Sequence, residues 1–354
     1  MDSFIFDLPR LRVVFGPGRR SQLKQEVEAL GLKRVLIIAD PIHVGTATLL
    51  AEQLGPLSAG VYDKVAVHVP VEIADAGKAK VKELGADGCV CLGGGSSIGL
   101  AKIIARDLGL PIIAIPTTYA GSEMTPIWGL TEAGVKRTGR DPKVLPRTVI
   151  YDPNLTLTLP ADIAGPSGIN AIAHCVEALY AENANPITSL MAEEGIRALG
   201  RALPRVVAAP GDTEAHSDAL YGAWLAGTAL GAVGMALHHK LCHTLGGSFG
   251  LPHAETHTIV LPHAAAYNRT AAPEAMARIA RALGVADAPL GLQDLARAVG
   301  AKLALKDIGM READLDRAAD IAAANPYYNP RPVERAAIRR LLDDAFFGRN
   351  PASA

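Results

Sequence analysis

Up to about residue 150 the chain carries short, unbroken apolar runs set off by glycine or proline, and this pattern restricts the fold more than any other feature. Residues 34–39, 88–92 and 111–115 show no alternation of polar and apolar side chains. Strands of that kind are covered on both faces, as in a parallel sheet. Amphipathic stretches separate them, at 21–30 and 73–84. In the second, Ile73, Ala76, Gly77, Val81 and Leu84 share one predicted face, with Asp75, Lys78 and Lys82 opposite. Repeated strand, helix, strand units predict an open α/β sheet.

The texture changes after Val149-Ile-Tyr-Asp152, where Pro153, Pro160 and Pro166 follow in close order. Beyond them come alanine-rich helical patterns, at 187–203, 218–237 and 333–346, with almost no β-branched runs. The chain of 354 residues is too long for one ordinary core. The expectation is an α/β domain over 1–158 and an all-helical domain over 159–354. Residues 222–237 are the most apolar stretch, but four glycines interrupt it and it falls short of a span. A buried helix accounts for it.

Gly93-Gly94-Gly95-Ser96-Ser97 follows the strand at 88–92 and opens into a helix that includes Lys102. Bare backbone N–H groups and a helix N-terminus there suit a phosphate, and a tight structural turn is an equal reading. The common dinucleotide spacing fails by one residue, since Ile98 precedes Gly99. After the next strand, Pro116-Thr117-Thr118-Tyr119-Ala120-Gly121-Ser122 lies at the sheet edge where ligands bind in such folds. The hydroxyls of Thr117, Thr118 and Ser122 suit a pyrophosphate or ribose, unless the segment is only a connector. Asp40, just past the strand at 34–39, either accepts the adenosine ribose hydroxyls, favouring NAD, or caps a helix beginning at Pro41.

Eight of ten histidines fall between residues 174 and 263. Asn170 and His174 are spaced i, i+4, as are His239 and His243, and His253 and His263 follow. Two such pairs and a third element point to one polar site, either a metal centre or an acid–base cluster.

Together these motifs resemble the iron-containing alcohol dehydrogenases: the glycine–serine turn, the Pro-Thr-Thr loop, the Gly168-x-Asn170-Ala-x-x-His174 helix and the His239-x-x-x-His243…Pro-His253 array. The resemblance covers essentially the whole chain. It implies a dehydroquinate synthase-like fold, with a dinucleotide-binding α/β domain, an all-α domain and an active site in the cleft between them. The family's metal ligands, an aspartate and three histidines, fall on Asn170, His174, His239 and His253, with His243 as a further active-site histidine. Asn170 replaces the one anionic ligand, and an amide is a poor donor to a divalent transition metal. Gly99 stands where the family has an aspartate, and the Pro-Thr-Thr loop is a residue short. These departures, with the long stretches 117–131 and 136–146, resemble the maleylacetate reductase branch. That branch uses NADH or NADPH and works without metal, so the metal is not expected to be required.

On that resemblance, His243 and His253 are expected to serve as oxyanion donor and general acid, with His174, His239 and Asn170 holding them in place. Lys136 aligns with a lysine placed near the cofactor. Lys136, Arg137, Arg140 and Lys143 are read as one loop that either attracts a dicarboxylate or is simply solvated. A metal-dependent alcohol dehydrogenase is the nearest alternative; a lyase of the same superfamily and a non-catalytic cofactor binder rank below it.

Thirty-five basic residues against 36 acidic ones give a formal net charge of −1, so no field of the kind nucleic acid requires is present. Met1-Asp2-Ser3 lacks the basic start of a signal peptide. Cys89, Cys91, Cys175 and Cys242 form no CxxC pair and read as reduced thiols of a cytoplasmic protein. The expected partners are a small dicarboxylate and a second copy of the chain, with no nucleic acid and no membrane.

Overall fold

The computed structural model describes Phe4, Phe6, residues 11–133 and residues 135–351, apart from the side chains of Val135 and Lys136. The chain divides between Thr158 and Leu159 into two compact units.

The N-terminal unit contains β1 (Arg12–Phe15), α1 (Leu23–Ala29), β2 (Val35–Ala39), α2 (Val44–Leu54), β3 (Ser58–Tyr62), α3 (Val71–Leu84), β4 (Gly88–Gly93), α4 (Gly95–Leu108), β5 (Ile112–Pro116), β6 (Ile127–Glu132), β7 (Val135–Arg140) and β8 (Thr148–Tyr151). Six strands form one sheet in the order β1-β8-β5-β4-β2-β3, and every pairing in it is parallel. β2, β4 and β5 are buried along their whole length, which is why their sequences are apolar at every position. From β2 the chain moves outward to β3, then returns to place β4 on the other side of β2. That reversal opens a crevice at the carboxyl ends of β2 and β4, the usual ligand position in open α/β sheets.

Three expectations shift. On α3 the buried residues are Ala74, Gly77 and Val81, whereas Ala76 is exposed, so the apolar face is rotated from the predicted one. Residues 136–140 are not loop: β6 and β7 form an antiparallel hairpin, with Thr131 opposite Lys136 and Leu130 opposite Arg137. Of the four cationic residues only Lys143 lies beyond the strand, in a 3-10 turn capped by Asp141.

The second unit is helical throughout its described residues: α5 (Ala161–Ala178), α6 (Pro186–Ala208), α7 (Thr213–Ala232), α8 (Leu237–Phe249), α9 (His253–Asn268), α10 (Pro273–Leu283), α11 (Ala288–Ala298), α12 (Leu315–Ala324) and α13 (Arg335–Phe347), with short 3-10 turns between. Gly168 permits the close packing of α5 on α6, since a Cβ there would stand 2.2 Å from Leu203 Cδ2. The helix expected over 218–237 instead ends at Ala232, and α8 leaves at 95°. The cause is electrostatic. The buried carboxylate of Glu177, on α5, accepts from the backbone N–H groups of Ala236 (2.8 Å) and His238 (2.6 Å), which satisfies the first turn of a new helix. Among the described residues no single helix is long and apolar enough to cross a membrane.

Candidate active site

In the N-terminal unit the crevice is lined as a dinucleotide turn requires. Gly93 has φ 142°, and a Cβ there would lie 2.5 Å from both Asp40 Oδ2 and Ser97 Oγ. Only glycine fits. Gly94 approaches Thr118, whose Cγ2 would be 3.0 Å from an added Cβ, while nothing lies within 4 Å of one at Gly95. Ser96 sits in the first turn of α4.

Asp40 occupies the N-cap position before Pro41, yet its side chain does not cap that turn. It accepts instead from Ser97 Oγ at 2.6 Å and faces the Gly94 N–H at 3.4 Å, joining the end of β2 to the glycine turn. Thr117 is buried, and its hydroxyl lies 2.7 Å from His43 Nε2, a partner the sequence reading missed. Ser122 belongs to another arrangement. Lys102, buried on α4, donates to Ser122 O (2.6 Å), Thr125 O (2.8 Å) and Ile127 O (2.8 Å), with the hydroxyls of Ser122 and Thr125 at 3.3 and 3.0 Å. Burial pushes the Lys102 ammonium down to about 7, against the pull of the nearby Glu123 carboxylate. Ser122 is therefore part of a lysine cradle that fixes the segment after the threonine loop. Lys136 falls on β7, and its side chain lies outside the described residues.

The second unit gathers the histidines. His174 Nδ1 and His239 Nε2 share a hydrogen bond of 2.9 Å, and His239 Nδ1 lies 2.7 Å from Glu177 Oε2. A chain Glu177–His239–His174 thus runs from α5 to α8 and back to α5. His257, one turn beyond His253 on α9, packs against His253 at 4.3 Å between ring centroids and against His239 at 4.9 Å. His238 Nε2 and His257 Nδ1 share a second 2.9 Å hydrogen bond. Burial, and then the neighbouring imidazoles, hold His238 and His257 well below the usual histidine range, so this pair is neutral. His243 contacts His239 at 6.0 Å and has Tyr327 Oη 3.1 Å from its Nδ1.

Exposure divides the group. His174, His238, His239 and His257 are buried with Asn170, while His243 and His253 are solvent-exposed. His263 is buried elsewhere on α9, pushed down to about 4 by burial. Sequence spacing could have found His257, which stands i+4 from His253, and Glu177, which stands i+3 from His174. No spacing marks Tyr327.

A crevice with a glycine turn at a sheet reversal, and a histidine cluster on a separate helical unit, define an oxidoreductase of the dinucleotide-using kind. Residues 9–153 match the family model described as iron-containing alcohol dehydrogenase, and residues 165–346 match the C-terminal model of the same family. The chain belongs to the iron-containing alcohol dehydrogenase family. It is similar to a maleylacetate reductase of Burkholderia cepacia, with 55% identity over 99% of this chain and 100% of that one. The crystal structure of maleylacetate reductase from Rhizobium sp. strain MTP-10005 superposes with a TM-score of 0.96 at 52% identity, covering 99% of this chain and 100% of that one. An iron-containing alcohol dehydrogenase from Corynebacterium glutamicum gives a TM-score of 0.95 at 47% identity, covering 99% of each chain.

The family implies iron, at the positions of Asn170, His174, His239 and His253. The donor set lacks the one anionic ligand of the family, which makes its fit to a divalent centre poor. Asn170 offers only a neutral amide, whose Oδ1 is buried without a hydrogen-bond partner. His174 Nδ1 and His239 Nε2 lie 2.9 Å apart. Among the described residues a different trio, His238, Cys242 and His257, brings its ligand atoms within 4.8 Å of one another.

Proposed function

We propose that the chain reduces the carbon–carbon double bond of maleylacetate, and of substituted maleylacetates, to give 3-oxoadipate with NADH as hydride donor and NADPH as an alternative. The observation that carries this reading is a buried histidine cluster that opens through two exposed histidines, His243 and His253. Its likeness to curated maleylacetate reductases over the full length supports it.

The chemistry asks little of a metal. Hydride delivered to the carbon β to the ketone leaves an enolate, and a proton must then reach the α carbon. An enolate is less basic than an alkoxide, and positioned imidazoles can stabilise it and supply the proton. His243 and His253 share these tasks. His174 and His239, tied through Glu177, and Asn170 hold the exposed pair in place. Gly93, Gly94, Gly95 and Ser96 cradle the pyrophosphate, Thr117 and Thr118 flank it, and Asp40 meets the adenosine ribose. On the family resemblance, Lys136, a residue of β7, serves the cofactor. The protein works as a cytoplasmic homodimer in the breakdown of hydroxylated and chlorinated aromatic compounds.

The test follows NADH loss with maleylacetate and identifies 3-oxoadipate by mass. His243→Ala and His253→Ala should each lower kcat roughly a hundredfold. Wild-type rates in both variants would remove the histidines from the mechanism, and no turnover by the native chain would remove the reaction itself.

A further inference from the structure

Between α12 and α13 runs Asn325-Pro326-Tyr327-Tyr328-Asn329-Pro330-Arg331-Pro332, an irregular stretch with three prolines. Connecting segments of this kind are ordinarily among the more mobile parts of a fold. This one is stapled down. Asn268, buried at the end of α9, exchanges two amide hydrogen bonds with Asn329, at 2.8 and 2.7 Å. Asn329 Nδ2 also donates to Arg331 O at 2.6 Å, and the Tyr267 hydroxyl donates to Pro332 O at 2.7 Å. The Arg331 guanidinium lies 4.2 Å from the centroid of the Tyr267 ring.

What the staple presents is Tyr327. Its hydroxyl sits 3.1 Å from His243 Nδ1, and its ring stands edge-on to that of His243. Lys240 reaches the same ring from α8, with Nζ 5.6 Å from its centroid. Lys240 and His243 are three residues apart on one helix and so lie side by side. A phenol, an ammonium and an imidazole therefore converge where the histidine cluster meets solvent.

We propose that Lys240 forms the carboxylate-recognising side of the active site, with Tyr327 serving as the positioning residue for His243. The assignment rests on the reading of the chain as a reductase of a dicarboxylate. The ammonium binds one substrate carboxylate as a mobile point charge. The phenol engages Nδ1 of His243, which fixes the ring and reserves Nε2 for the enolate.

Steady-state kinetics of the full chain with NADH and maleylacetate test the proposal. Lys240→Met should raise KM for maleylacetate at least tenfold, by more than it lowers kcat, with NADH binding retained and Lys240→Arg recovering most of the loss. Tyr327→Phe should lower kcat about tenfold, change KM less, and increase the solvent isotope effect on kcat. An unaltered KM in Lys240→Met, or an unaltered kcat and isotope effect in Tyr327→Phe, would overturn it. A merely structural role would lower the unfolding midpoint and NADH affinity together, which also counts against it. Should the native chain fail to turn over maleylacetate, the reductase reading falls separately. Calorimetry of fumarate binding to the NADH-loaded protein then decides: affinity lost in Lys240→Met and kept in Lys240→Arg upholds the site, and affinity unchanged in Lys240→Met refutes it.

Discussion

Gly93 shows how one residue can hold a binding turn in place. Its φ of 142° and the 2.5 Å separation between a notional Cβ and Asp40 Oδ2 are two independent reasons for glycine. Gly93→Ala must displace Asp40 or Ser97, and both belong to the turn expected to receive the dinucleotide. The variant should fold, yet bind NADH roughly tenfold more weakly in a fluorescence titration. An unchanged dissociation constant would mean that the turn does not hold the cofactor. Asn170 illustrates the converse. An amide stands where the family has a charged ligand, and that substitution weakens the position as a donor to a divalent cation. At this scale the sequence shows which residues are unusual, but not what they touch. Asp40 is legible as a carboxylate after a strand, whereas its choice of Ser97 over the adjacent helix start depends on a turn from another strand.

Among the elements, α4 does two things. Its N-terminus faces the crevice, and two turns later its Lys102 grips the segment that follows the threonine loop. Lys102→Met leaves three carbonyls and two hydroxyls without their donor, so the N-terminal unit should lose roughly 3 kcal/mol or more in denaturant unfolding followed through Trp128. An unchanged midpoint would show that the oxygens find water instead. The same contrast explains which elements could be read in advance. β2, β4 and β5 are legible because burial on both faces demands apolar side chains throughout. β3, a sheet-edge strand of sequence Ser-Ala-Gly-Val-Tyr, lacks that signal. The β6–β7 hairpin is hidden for another reason. β6 is only half-buried and the described side chains of β7 are mostly exposed, and the hairpin turns through Ala133 at φ 48° rather than through an Asn-Gly or Asp-Gly pair. The break between α7 and α8 is invisible because its cap, Glu177, comes from 59 residues earlier, as the spacing to Ala236 records.

For the whole molecule, the change of texture near residue 158 is written in the chain as the end of apolar strands and the beginning of alanine-rich helices, and the two compact units divide there. The histidine cluster is similarly legible as a cluster but not as a mechanism. Spacing brings His174, His239, His243 and His253 to one region, while the division into buried and exposed members emerges only from helix packing. The central claim is that this cluster reduces a dicarboxylate without a metal, and the most direct measurement is NADH oxidation with freshly prepared maleylacetate on protein exhaustively treated with chelator. The account predicts full activity, unaffected by added iron or zinc. Activity lost to the chelator and restored by either metal would contradict it, and would return Asn170 and the three histidines to a metal-dependent alcohol dehydrogenase.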